Sequence, residues 1–255
     1  HAHWNMALAL LANGEYAEGW REYEWRLRLP ELGGREPALP FPRWDGSDLR
    51  NKTLLLVAEQ GTGDALQFVR FAANVAKSGA RVVVQAPAPL GSLLATAPGV
   101  AATIPTGMAP PPCDVALPLL SLGMLLDVRP GDSSGVPYVR SDAARRAQAT
   151  RRVDAIRDRR RAVGIAWAGA AHHLNDRRRS IPPALLAPLF ALPGVAWFSL
   201  QQGPREPLIA DVPGADYRTL NMPVRFEASR VEPRGPAPEL GEHTDEVLTE
   251  LGYDV

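Results

Sequence analysis

Cysteine is nearly missing: Cys113 is the single one in 255 residues, so no internal disulfide can form and Cys-based zinc ribbons are excluded. That usage fits a reducing, cytoplasmic setting. A net charge is missing too. Lys plus Arg and Asp plus Glu each number 28, which removes the global electrostatic case for nucleic acid or an anionic membrane as the main partner. No apolar run is long enough to cross a bilayer without Pro, Gly or charge breaking it, so no membrane span is expected. A basic segment followed by an apolar stretch and a small-residue cleavage site is not visible. The chain opens on His1, with no Met, inside what reads as a helix, and this start suggests a piece of a longer protein.

What is present is an ordinary globular composition, 45% hydrophobic and 22% charged. A chain of this length can bury roughly 70% of its unfolded surface in one or two cores. Residues 4–13 place Trp4, Ala7, Leu8 and Leu11 at helical spacing, and Asn13-Gly14 supplies a left-handed stop. The period resumes over 16–29 with Tyr16, Gly19, Trp20, Tyr23 and Leu27, which predicts an antiparallel hairpin over residues 1–30 whose apolar faces need further helical surface. Residues 31–52 read as a Pro- and Gly-rich connector with Phe41 and Trp44 as anchors.

An α/β pattern follows. Strands are predicted at Thr53 to Val57, Arg81 to Gln85, Val100 to Ile104 and Asp114 to Leu117, with helical periodicity at 65–76, 87–97 and 119–126. The order implies a parallel sheet with helices on both faces, a first Rossmann-like domain over 53–140. Residues 141–161 read as an Arg-rich linker helix, a solvated face between domains rather than a nucleic-acid patch. A second, truncated unit over 162–205 has strands at Val163 to Trp167 and Ala196 to Leu200 and a helix opened by Ser180-Ile181-Pro182. Two strands fall short of the roughly five that a doubly wound domain uses, so the second of them should keep an open edge. Residues 206–243 read as Pro-rich extended chain, ahead of a short helix at Thr244 to Leu251.

Two segments can carry chemistry. In AEQGTGDALQFVRF, residues 58–71, Gly61 and Gly63 let backbone N–H groups come close to a ligand. The dinucleotide fingerprint fails there, because Leu66 stands where the third Gly belongs and the second strand ends in Gln85 instead of an acid. Asp64 remains as a carboxylate at the edge of an interdomain cleft. It is either a general base towards an acceptor hydroxyl or only a helix cap. In AWAGAAHHLNDRRRS, residues 166–180, Asn175, Arg177, Arg178, Arg179 and Ser180 approach a helix start. They are either a diphosphate site or a solvated basic loop. The adjacent His172 and His173 read as loop residues and not as paired metal ligands.

The hairpin, with Gly14, Tyr16, Gly19 and Tyr23, resembles a tetratricopeptide repeat. The run EYEWRLRLP, the WDG at 44–46, KTLLLVAEQGTGDALQFVRF, WAG at 167–169, NDRRRSIP at 175–182 and SLQQGP at 199–204 together resemble tetratricopeptide-repeat proteins with a family 9, heptosyltransferase-like glycosyltransferase domain. The resemblance covers residues 4–205. It implies a GT-B architecture of two Rossmann-like domains and inverting transfer from a nucleotide-sugar donor to a glycan or protein acceptor, without a bound metal or other cofactor. It also implies Asp64 as the base. The family's later strands and its donor-holding loop of Asp, small residues and His are not matched, so the donor side is expected to be half built and transfer absent. Residues 216–253, with PVRF, PAPELGEHTDEVL and ELGY, instead resemble the C-terminal end of class III CoA-transferases, implying a fusion junction near 205–215. Two alternatives stay open: a protein-binding repeat module on a scaffold α/β body, and a CoA-transferase-type fusion fragment.

Overall fold

Thr53–Val57 forms strand β1, and its residues alternate between two environments as a pleated strand requires. Leu54 and Leu56 belong to one apolar cluster and Leu55 to another, all three with 0% exposure. Burial of each stabilises the fold by roughly 1.5–3 kcal/mol. These positions come from a computed structural model that describes residues 1–29, 39–132, 135–169, 176–202, 205, 208, 212 and 217–219. By compactness the chain divides between Arg146 and Ala147 into two units.

In the first unit, β1 is joined by β2 (Arg81–Ala86), β3 (Val100–Pro105) and β4 (Val115–Pro118) in one four-stranded sheet of order β3-β2-β1-β4. All pairings are parallel. That is the order of the first four strands of a doubly wound sheet, and it places the reversal of strand order between β1 and β4. The crossovers contain α3 (Thr62–Phe68), a 3-10 turn at Val69–Phe71, α4 (Ala72–Ala76) and α5 (Ala88–Leu94). After β4 come a 3-10 turn at Leu119–Ser121 and α6 (Leu122–Leu125).

The helices pack on the Leu54 and Leu56 side, where Phe68, Val69, Val75, Leu90, Leu94 and Leu122 are buried. The expectation of helices on both faces is corrected here. Among the described residues, the Leu55 side is covered by Leu39 and Phe41 of the connector, with Ile104 and Cys113. The connector also lies along β4, with Arg43 bridging Ala116 in parallel and Trp44 N–H donating to the Ala116 carbonyl at 2.9 Å. Both anchors read from the sequence thus find a place, since Trp44 is buried as well.

The N-terminal hairpin consists of α1 (Ala2–Asn13) and α2 (Tyr16–Tyr23), which runs on as a 3-10 helix over Glu24–Arg28. Gly14 ends α1 with φ 87°, the left-handed stop expected of it. Gly19 permits the close crossing, because a β-carbon there would stand 2.8 Å from Leu11. The hairpin does not keep a core of its own. Ala7, Tyr23, Trp4, Leu11 and Trp20 join the cluster that holds Leu54 and Leu56, and aromatic contacts run from Trp4 to Tyr23 to Trp20 to Phe68.

In sequence, α7 (Ala143–Arg157) spans the division, and it buries none of its residues. The second unit contains β5 (Arg161–Ile165), α8 (Asp176–Arg179), a 3-10 turn at Pro183–Leu186, α9 (Ala187–Phe190) and β6 (Val195–Ser199). A third strand, β7 (Tyr217–Thr219), pairs in parallel with β6. The open edge expected at β6 is therefore occupied, by a segment that reads from the sequence only as extended chain. Val212 is buried against Trp167 and Leu186. The helix expected at Thr244 to Leu251 lies outside the described residues. No helix among them is long and apolar enough to cross a membrane.

Candidate functional site

The turn after β1 is built in a tight order. Gln60 has φ 62°, a left-handed conformation that costs a residue with a side chain roughly 1–2 kcal/mol. Gly61 follows as the residue ahead of α3 and donates its N–H to Asp64 Oδ2 at 2.9 Å. A β-carbon on Gly61 would stand 2.9 Å from that same oxygen, so a side chain there would displace the Asp64 carboxylate. At Gly63 an added β-carbon would meet nothing within 4 Å, so the space beside the exposed backbone is open. Asp64 is half-buried, and among the described residues its other oxygen takes no hydrogen bond. The structure thus shows the helix-capping contact of Asp64, through one oxygen.

The sequence reading missed what stands behind this turn. Glu59 lies two residues past β1, and its Oε1 accepts from Arg26 Nη2 at 2.7 Å and from the Leu120 N–H at 3.2 Å. Arg26 is 1% exposed. Its Nη2 also donates to Ser121 Oγ at 2.9 Å, and its Nη1 to Glu24 Oε1 at 2.5 Å. Ser121 in turn donates to Glu24 Oε2 at 2.9 Å. Burial pushes the Glu59 carboxyl above the ordinary carboxylate range, and Arg26 offsets only part of that. Burial works against the Arg26 charge as well, yet Glu24 and Glu59 together outweigh it and hold the guanidinium above its ordinary value. The two directions agree because Arg26 faces two carboxylates and Glu59 one guanidinium. Burial also pushes the Tyr23 phenol up to about 12, with Arg26 opposing and Asp64 and Glu59 adding.

A cavity of about 240 Å³ in this unit is lined by residues including Arg70, Asn74, Lys77 and Tyr138. Another of about 380 Å³ has Ser92, Thr96, Arg140 and Arg145 in its lining. Neither includes Gly61, Gly63 or Asp64, and the chemistry of the turn is the better guide to a site. Among the described residues no cluster of His, Cys, Asp and Glu has an arrangement able to hold a metal ion.

In the second unit the loop after β5 is held by Gln201. Its Oε1 accepts from the N–H groups of Trp167 and Ala168 at 3.0 and 2.9 Å, and its Nε2 donates to the Ala168 carbonyl at 3.1 Å. Ser180 Oγ accepts from the Gly169 N–H at 3.2 Å and donates to Asp176 Oδ1 at 2.6 Å. That bond, followed by Arg205, holds the Asp176 carboxyl below the ordinary range. Arg177, Arg178 and Arg179 are exposed on α8. Of the residues named from the sequence, Asn175 lies outside the described residues, as do His172 and His173. Gly61, Gly63 and Asp64 share one turn of the first unit, and Arg177 to Ser180 share one of the second.

No family model and no solved structure matches the chain. A segment of 72 residues is 36% identical to Protein FlbA of Caulobacter vibrioides, covering 28% of this chain and 12% of that protein. The chain thus spans a small part of FlbA's length, and the likeness carries no activity with it.

Proposed function

We propose that the chain is a glycosyltransferase-like protein of family 9 and GT-B type, with its acceptor-side turn built and its donor side incomplete. Asp64 is the base that accepts a proton from an acceptor hydroxyl, Gly61 and Gly63 shape the approach, and Arg177 to Ser180 face the phosphates of a nucleotide-sugar. One observation carries this reading: Asp64 is fixed through one oxygen by the Gly61 N–H while the other is left without a hydrogen bond among the described residues. A carboxylate held in that way is oriented and still able to take a proton. The exposed guanidinium groups of Arg177, Arg178 and Arg179 suit bidentate pairing with phosphate.

Calorimetric titration with UDP-, GDP- and ADP-sugars tests the proposal. Binding to at least one of them is expected, weakened tenfold or more by Arg177→Ala combined with Arg178→Ala, with no sugar transferred. Absence of binding to every donor would overturn the donor assignment. Turnover abolished by Asp64→Asn would establish the base and refute the inactivity. A second reading, a protein-binding hairpin, draws on the exposure of Met6, Leu8 and Trp25.

A further inference from the structure

We infer that Arg26 of the hairpin is a positioning residue for the Gly61–Asp64 turn and acts on it through Glu59. The inference rests on the reading of Asp64 as the base.

In doubly wound sheets the crevice at the carboxyl ends of the strands, where the strand order reverses, is the usual place for a ligand. Here that crevice lies between β1 and β4, and the hairpin reaches into it. Arg26 contacts Glu59, two residues past β1, and Ser121, three residues past β4. Glu59 Oε1 accepts from both Arg26 and the Leu120 N–H, so one carboxylate oxygen ties the two loops together.

The neighbouring residue is constrained in its backbone. Gln60, at φ 62°, holds a conformation that side-chain-bearing residues seldom adopt unless their surroundings enforce it. Tyr23 lies on the same hairpin as Arg26. The Arg26 guanidinium also stands 5.0 Å from the centre of the Tyr23 ring. The hairpin therefore holds residue 59, two positions ahead of the Gly61 N–H that orients Asp64.

Stability alone does not call for this arrangement. Buried ion pairs are often replaced by apolar residues of similar volume without loss, whereas removal of one partner strands the other. What an apolar pair cannot do is fix the direction in which the loop leaves β1. The Glu59 carboxylate, bound to a guanidinium and an N–H, supplies that direction.

The test is amide exchange and side-chain NMR on the full chain. In Arg26→Met/Glu59→Met the melting temperature should stay within a few degrees of wild type. Exchange at Gly61 should rise at least tenfold while Leu55 in β1 is unchanged, and the carboxyl-carbon resonance of Asp64 should move. Glu59→Gln keeps the size of the side chain and an oxygen able to accept from Arg26 and the Leu120 N–H, so it should accelerate exchange at Gly61 less than the double variant does. Wild-type exchange at Gly61 and an unmoved Asp64 resonance in the double variant would overturn the inference. So would acceleration spread equally over Leu55, because that is loss of stability and not of position. None of these measurements involves sugar transfer. Failure here leaves Asp64 standing as base, and failure of every donor titration would remove the glycosyltransferase reading and leave the grip intact.

Discussion

Trp20 lies over Gly123 so closely that a β-carbon on the glycine would stand 2.7 Å from the indole ring. The same indole donates its N–H to the Val128 carbonyl at 2.7 Å and meets the Phe68 ring edge-on at 5.8 Å. Overpacking of this kind costs about 1–3 kcal/mol. Gly123→Ala should therefore lower the stability of the first unit by that amount in chemical denaturation. In a Trp20→Leu background the further cost should shrink below about 0.5 kcal/mol, since contacting residues are not additive. Two costs that simply add would place the source elsewhere.

Tyr23 should make the fold sensitive to alkali. Burial pushes its phenol up to about 12, against an ordinary value of 10.0. Between those limits the folded chain binds more protons than the unfolded one, so stability falls as pH rises through the window and is intact below it. At pH ~11.5 the loss from this group is about 2 kcal/mol. Urea unfolding at pH 8 and at pH ~11.5 should show a drop larger by that amount in the wild type than in Tyr23→Phe. Equal drops would mean that the phenol is not held apart from water in the folded state.

β7 should protect the strand beside it. Backbone pairing of Tyr217–Thr219 with Trp197–Ser199 closes one side of β6, and paired amides exchange only when the local structure opens. Truncation after Val212 keeps the buried valine and removes β7. Exchange at residues 197–199 should then quicken tenfold or more, with β1 in the first unit unaffected. Unchanged exchange would show that the pairing adds nothing to protection.

The strands of the first unit were legible nearly to the residue, because continuous β-branched and leucine runs at 53–57 and 81–85 have few other uses. Helix starts were less so. Thr62 and Gly63 belong to α3, yet neither is apolar, so periodicity began only at Ala65. β5 was read two residues late. Trp167 extended the apolar run, although its burial comes from the loop that Gln201 clamps. Asp64 and its glycines were visible as a local motif. Arg26 with Glu59 and Ser121 was not, since those contacts join positions 33 and 95 residues apart and no local period encodes them.

The hydrogen bond from Trp20 to Val128 crosses 108 positions, and that span bears on how the chain comes to be folded. A ribosome adding roughly 10 residues per second takes about 10 s to supply the second partner after the first. During that interval Trp4, Leu11 and Trp20, which pack into the shared core of the finished unit, have no β4 or α6 to meet. The hairpin sequence is thus synthesised first and seated late, and in the meantime its aromatic side chains have no core to enter.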